Sequence, residues 1–305
     1  MERHAVRTFD DPGPVGAAER KDAYGRTGPS PNGGRRRTLP NYERQRHDAL
    51  AITYNDFFTP VTTLAHAPLL DAVQLAPGCE LLDVATGPGW LAAAATAGGA
   101  HAIGVDLSPG MVALAAQLHS GIEFRVADVE HLPFADGTFD ALVCNFAIGH
   151  FPYPEAAVAE CIRVLKRGGR VALSWWDDPS RQRIQGLFRE AINEIGVNPP
   201  PDVPKGYSIL RFSNSAAFVG LLRSAGAADV EIDEYAETHT VSDIETLWRG
   251  GLGSFAVTAS AIARQDEATQ AAIRAALERR AEVYQTASGY TLPIAFKIEH
   301  GRILL

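Results

Sequence analysis

The stretch Leu81-Leu82-Asp83-Val84-Ala85-Thr86-Gly87-Pro88-Gly89-Trp90 constrains this chain most. It reads as a short buried strand, a glycine turn and the start of a helix, the opening unit of a doubly wound α/β sheet. A glycine turn at a helix start ordinarily welcomes anions, because bare N–H groups and the positive end of the helix dipole face the ligand. Asp83, at the mouth of the strand, spoils that site for a pyrophosphate. The dinucleotide fingerprint also needs a third glycine, and the chain runs Trp90-Leu91-Ala92 instead. A ligand with an amino group and no phosphate suits the acid better, with Gly87 and Gly89 permitting close backbone approach.

Two further acids follow the same rule. His101-Ala102-Ile103-Gly104-Val105-Asp106 reads as a second strand, ending in an acid about 20 residues after the turn, where ribose hydroxyls are met. Ser108-Pro109 is a helix start. The third strand, Ile122 to Val126, leads into Ala127-Asp128-Val129. One aspartate at a strand end is commonly a cap or a solvated loop residue. Three at successive strand ends, where doubly wound sheets bind ligands, point to a nucleoside site. S-adenosylmethionine is a nucleoside of the required kind.

From about Tyr54 to Trp176 the chain resembles the class I S-adenosylmethionine-dependent methyltransferases, within them the group similar to the ubiquinone and menaquinone C-methyltransferases. The glycine motif carries the resemblance together with Gly104-Val105-Asp106-Leu107-Ser108, Ala127-Asp128-Val129-Glu130-His131-Leu132-Pro133-Phe134, Phe139-Asp140 and Arg163-Val164-Leu165-Lys166-Arg167-Gly168-Gly169. It implies a Rossmann-like sheet, mostly parallel with an antiparallel last strand. It further implies S-adenosylmethionine as cofactor, with Asp83, Gly87 and Gly89 along the methionine part and Asp106, followed by Leu107, at the ribose. Asp128 and Val129 border the adenine, and Met111 lines its pocket. Ala85 stands where many members have glycine and is expected to contribute backbone only, as is Asn145. Tyr54 falls where similar enzymes fold an N-terminal segment over the cofactor; closing the methionine side and anchoring its helix to the core are both open readings.

His150, in Asn145-Phe146-Ala147-Ile148-Gly149-His150-Phe151 beyond the fourth strand, is the candidate catalytic base for an oxygen acceptor. Similar enzymes often carry two histidines in this loop, and Gly149 stands at the first position. The other reading of His150 is a pocket-lining residue bonded to its own loop.

The expected organisation is a flexible arm over 1–40, rich in Gly, Pro and Arg, a cofactor-binding core over 41–178, and an insertion over 179–212. Core helix and strand return over 213–240, a second insertion spans 241–288, and the last strand occupies 289–305. Expected elements include buried strands at Phe139 to Phe146 and Arg170 to Trp176, helices at Glu155 to Leu165 and Ala216 to Leu222, and a half-buried strand at Val230 to Tyr235. The last strand is expected at Tyr290 to Ile298, and Gly98-Gly99 and Gly168-Gly169 read as turns. The insertions carry a helical face at Ile184, Leu187, Phe188, Ala191, Ile192 and Ile195, a capping box at Ser242-Asp243-Ile244-Glu245, and a helix from about Asp266 to Tyr284. They are expected to form a small, mostly helical cap over a small-molecule acceptor. Trp175, Trp176, Phe188, Tyr207, Phe212, Trp248 and Phe255 hint at an apolar or aromatic, natural-product-like acceptor, although aromatics in a cap also serve as its core.

The net charge of −8 disfavours a nucleic-acid partner. Cys79, Cys144 and Cys161 lack metal-ligand spacing and read as reduced core thiols, no metal site is expected, and no apolar run reaches membrane-spanning length. A cytoplasmic protein is expected, with self-association into a homo-oligomer left open. Besides methyl transfer to oxygen or carbon, methylation coupled to cyclisation of a prenyl or terpenoid acceptor and a non-catalytic, cofactor-binding regulator both fit these residues.

Overall fold

A computed structural model describes residues 48, 50–198 and 210–304. The proposed N-terminal arm, the prolines at 199–201 and 204, and Tyr207 lie outside the described residues.

Seven strands form the body of one sheet: β1 (Glu80–Val84), β2 (His101–Asp106), β3 (Glu123–Val126), β4 (Phe139–Cys144), β5 (Leu165–Trp176), β6 (Ala228–Val241) and β8 (Gly289–Arg302). Their order is β3-β2-β1-β4-β5-β8-β6, with a two-residue strand, β7 (Gln285–Thr286), hairpinned onto β8. β1 to β5 pair in parallel, and β8 runs antiparallel between β5 and β6. The parallel centre is covered on both faces, which is why Leu81, Leu82, Leu142, Val143, Val171 and Ala172 are all buried rather than alternating.

α1 (residues 50–57) and α2 (His66–Ala72) precede the sheet. α3 (Trp90–Ala97), α4 (Pro109–Leu118) and α5 (Pro154–Arg163) connect its parallel strands, and α7 (Ser215–Ser224) leads to β6. The expected start at Ser108-Pro109 is formed, the Ser108 hydroxyl accepting the Met111 N–H at 3.1 Å. The segments expected as insertions contain α6 (Arg183–Ile195), α8 (Ile244–Leu252), α9 (Ala256–Ala263) and α10 (Glu267–Ala281). One hydrophobic core joins the sheet to these helices, Phe188 of α6 and Ile273 and Leu277 of α10 belonging to it together with Phe296 of β8.

Several elements differ from expectation in extent, among them β8, which continues to Arg302 rather than ending at Ile298, and α10, which ends at Ala281 rather than Tyr284. β6 runs to Val241 because β8 pairs with it without a break from Glu231 opposite His300 to Val241 opposite Tyr290. β5 starts at Leu165, opposite Phe139, so Gly168 and Gly169 sit in a register shift within a strand rather than before one. The N-cap of α8 is Asp243, not Ser242: its carboxylate accepts the Thr246 N–H at 2.7 Å, while Glu245 pairs with Arg249 at 2.7 Å and Arg274 at 2.8 Å instead of closing a capping box.

Candidate active site

Strand order reverses beside β1, with β2 on one side and β4 on the other, and ligands of doubly wound sheets bind beyond the carboxyl ends at that point. A cavity of about 370 Å³ opens there. Its core side is lined by Ala85, Gly87, Asp106, Leu107, Met111, Asp128 and Val129, followed by Asn145 and Phe146 from the end of β4. Ten of the twelve proposed cofactor and catalytic positions lie on this wall, Tyr54 and His150 included.

Backbone donors fix the acids at the strand ends. Asp106 accepts the Gly87 N–H and the Ser108 N–H, each at 2.9 Å, so one carboxylate ties the glycine turn to the start of α4. Asp128 accepts the Glu130 N–H at 3.0 Å. Both therefore stand on the cavity in a set orientation, with remaining lone pairs for hydroxyl or amine donors.

Asp83 and Gly89 are not on that wall. Asp83 is 1% exposed and accepts the Thr86 hydroxyl at 2.6 Å and the Ala92 N–H at 3.1 Å through one oxygen, while its other oxygen is buried without a partner. Burial pushes its carboxyl up to about 7, the bonds from Thr86 and Ala92 opposing the shift. It lines instead a small pocket with Thr59, Thr62, His66 and Thr86, which shares Tyr54, Ala85, Gly87 and Asn145 with the large cavity. The Thr59 hydroxyl there is also buried and unpartnered, and burial drops His66 to about 4, so that the imidazole is neutral at physiological pH. Gly89 has φ +84°, and a Cβ would lie 2.7 Å from the Phe124 ring. Its glycine serves packing against β3. Gly87, with φ +54° and open space where a Cβ would go, is the glycine on the cavity.

Ala85 adopts φ +55°, a conformation that explains why glycine is common there. Asn145 donates to the Thr62 carbonyl at 3.1 Å and accepts the Ser174 hydroxyl at 2.7 Å, which commits its side chain to the scaffold. Tyr54 packs edge-on to Phe58 at 5.6 Å and lines both pockets. Burial, and secondarily the Asp106 charge, raises its phenol well above the usual range. Contacts from the N-terminal side went unread in the sequence: Asp48 bonds the Ser108 hydroxyl and accepts the Gly110 N–H at 2.9 Å, and Asn55 accepts the Trp90 indole N–H at 2.9 Å. Single polar residues in a helix give no signal of such long-range partners.

His150 ends a 3-10 turn and lies edge-on to Trp175, ring centres 5.6 Å apart. A Cβ at Gly149 would stand 2.1 Å from the same indole, so Trp175 occupies the space that a side chain at 149 requires. Of the aromatics singled out, Trp175, Trp176 and Phe255 line the cavity, whereas Phe188, Phe212 and Trp248 are not on its wall and pack in the core. Phe58, Phe146 and Phe151 line it unannounced. Phe146 stacks on Trp176 at 3.6 Å with ring planes 5° apart, and holds φ +51°, a rare conformation for an aromatic residue.

Residues 82–173 match a methyltransferase domain family, Methyltransf_11. The Rhizobium johnstonii ubiquinone/menaquinone biosynthesis C-methyltransferase UbiE is 33% identical over 190 residues, 57% of this chain and 73% of that protein. The chain belongs to the class I S-adenosylmethionine-dependent methyltransferases. The demethylmenaquinone methyltransferase of Renibacterium salmoninarum is 32% identical over 159 residues, 52% of this chain and 64% of that protein. Among solved structures, a methyltransferase candidate from an antibiotic biosynthesis pathway of Anabaena variabilis superposes with a TM-score of 0.54 at 18% identity, covering 76% of this chain and 95% of that one. YcgJ of Bacillus subtilis gives 0.50 at 19% identity, covering 78% and 97%. These two share the fold.

The methyltransferase cofactor, S-adenosylmethionine, suits the residues present. The small pocket offers a buried carboxylate oxygen and a hydroxyl, both unpartnered, which match an ammonium group. The contiguous cavity offers the Asp106 carboxylate, a group able to accept hydroxyl donors, and Leu107, Met111 and Val129 as an apolar surround. Among the described residues no group of three His, Cys, Asp or Glu is placed to hold a metal, and no helix is long and apolar enough to cross a membrane.

Proposed function

We propose that this methyltransferase acts on an oxygen or carbon of a small, mainly aromatic acceptor of natural-product type, seated between the ends of β4 and β5 and helices α6 and α9. The observation that carries the reading is the Phe146–Trp176 stack on the wall of the same cavity as Asp106 and His150. A planar acceptor is held by such a surface through its faces. The relatives named as quinone C-methyltransferases support an aromatic acceptor, and a fused bicyclic ring system is of suitable size.

When bound, S-adenosylmethionine supplies a methyl group already activated by its sulfonium. The residues of the chain then have three tasks. Asp83 receives the ammonium, Asp106 the ribose diol, and Asp128 and Val129 border the adenine. The aromatic wall fixes the acceptor and excludes water, and such alignment contributes up to roughly 7–11 kcal/mol where reacting groups are well oriented. His150 accepts the proton from an acceptor hydroxyl, its ring held by the edge of Trp175.

Incubation with methyl-labelled S-adenosylmethionine and a panel of phenols, naphthols, indoles and prenylated compounds tests the reading. Label is expected in an aromatic product; tight cofactor binding with label in no product favours the regulatory reading instead.

A further inference from the structure

The acceptor cavity has two unlike walls. Against the aromatic surface stands the face of α6 that carries Gln185, Arg189 and Asn193 at four-residue spacing, with Gln182 at its N-cap. Ile184, Leu187, Phe188 and Ala191 occupy the opposite, buried face. An all-hydrocarbon acceptor leaves this polar stripe unanswered.

Two atoms on the wall show that the stripe lacks partners. Gln182 is 1% exposed; its carbonyl oxygen caps α6 by accepting the Gln185 N–H at 3.0 Å, and its amide nitrogen has no partner. Ser254, 6% exposed in the turn before α9, has an unpartnered hydroxyl. A buried donor without a partner is unfavourable, and a ligand oxygen placed against it removes that cost.

Arg189 adds charge. It is the only Arg or Lys among the described residues lining the cavity, it is exposed at the rim, and it makes no hydrogen bond or ion pair among the described residues. Its neighbours differ: Arg183 pairs with Glu190 at 2.6 Å, Arg280 with Glu190 at 3.0 Å, and Arg181 with Asp177. Asp177, the acid nearest in sequence on the cavity wall, is committed to Arg181 and to buried Lys297 at 3.1 Å. Asp178 senses the Arg189 charge but accepts the Ser180 N–H at 2.9 Å. In a chain of net charge −8, an unpaired guanidinium at the mouth of the substrate cavity is selective for an anion.

We infer that the acceptor is an aromatic acid: its rings lie on the Phe146–Trp176 wall, its carboxylate meets Arg189, and a carbonyl or hydroxyl oxygen of its body takes the Gln182 amide and the Ser254 hydroxyl. A planar carboxylate fits the guanidinium fork in a way a neutral quinol does not. This inference rests on the methyl-transfer reading above.

The test uses three probes of one ring system, 3-hydroxy-2-naphthoate, its methyl ester and 2-naphthol, titrated calorimetrically into protein saturated with S-adenosylhomocysteine. The acid is expected to bind at least tenfold more tightly than ester or naphthol. Arg189→Gln is expected to abolish that preference while leaving 2-naphthol within twofold, and Arg189→Lys to retain part of it. An acid that binds no better than its ester, binding of none of the probes, or a preference that survives Arg189→Gln overturns the inference. S-adenosylhomocysteine uptake, measured first in each protein, separates the failures: its absence removes the methyl-transfer reading as well, its presence without acid preference removes this one alone.

Discussion

Asp83→Asn separates what the buried carboxyl costs the fold from what it gives the cofactor. Burial raises Asp83 from 3.8 to about 7, so the folded chain holds a proton there that the unfolded chain releases. The folded state therefore binds more protons across this window, and the wild type loses stability as pH rises through it. Each pKa unit corresponds to about 1.4 kcal/mol, and between pH 5 and pH 8 the two titrations diverge by roughly 2–3 kcal/mol. Asparagine is neutral at both pH values. Its carbonyl keeps the bonds from Thr86 and Ala92, and its amide occupies the unpartnered position at a cost of about 1–3 kcal/mol that does not vary with pH. The pH dependence of the difference is thus the diagnostic. Glu299, pushed up to about 8 by burial, titrates in both proteins and cancels. Urea unfolding of cofactor-free protein at pH 5, 6, 7 and 8 is expected to show the variant gaining roughly 2–3 kcal/mol on wild type across the series. In parallel, S-adenosylmethionine affinity of wild type is expected to rise with pH up to about 7, where the carboxylate forms, and to be at least tenfold weaker in the variant at pH 8. A stability difference that stays flat refutes the buried-carboxyl argument. Equal affinities at pH 8 refute the ammonium contact.

His150→Asn is expected to lower turnover at least tenfold on an oxygen acceptor with cofactor affinity nearly unchanged; equal turnover in the two proteins removes the residue from proton transfer. Ala85→Gly relieves a left-handed backbone and is expected to stabilise the fold by about 1 kcal/mol, read as a raised urea midpoint; a lowered midpoint contradicts the strain assignment. Gly149→Ala drives a methyl group into Trp175 and is expected to destabilise by about 1–3 kcal/mol, with Trp175→Phe in the same chain recovering part of it. An unchanged midpoint for the single variant contradicts the collision.

What the sequence disclosed was local. β1, β2 and β4 are short, largely apolar runs closed by an acid or a turn, and β3 is a short run before Asp128, so β1 to β4 were legible with their ends close to right, and the acids at those ends were legible with them. The limits of β5 and β6 were not, because strand length in a sheet is decided by the partner. β6 continues through residues that by themselves read only as polar, Glu237 to Thr240, of which only His239 is partly buried, and it persists because β8 continues beside it.

The site divided along the same line. Asp106 and Asp128 reach the cavity because backbone amides hold each carboxylate there, those of Ser108 and Glu130 two residues further on and that of Gly87 reaching Asp106 from the turn after the neighbouring strand. Asp83 carries the same local pattern and yet is turned inward to Thr86 and Ala92, so it serves the small pocket and not the large one. The aromatic wall of the cavity was still less visible. Trp176 was noticed as an aromatic residue, but its partner Phe146 lies 30 positions away and becomes part of the site only because β4 and β5 are neighbours and the backbone at Phe146 enters the left-handed region. A residue in that conformation is held by its surroundings, here the Trp176 face and the Ser174 hydroxyl that accepts the Phe146 N–H at 2.9 Å. That hydroxyl also donates to Asn145, so one serine on β5 fixes both residues that follow β4. The aromatic wall is therefore a property of the sheet pairing, and substitutions at Ser174 are expected to reach it without lining it themselves.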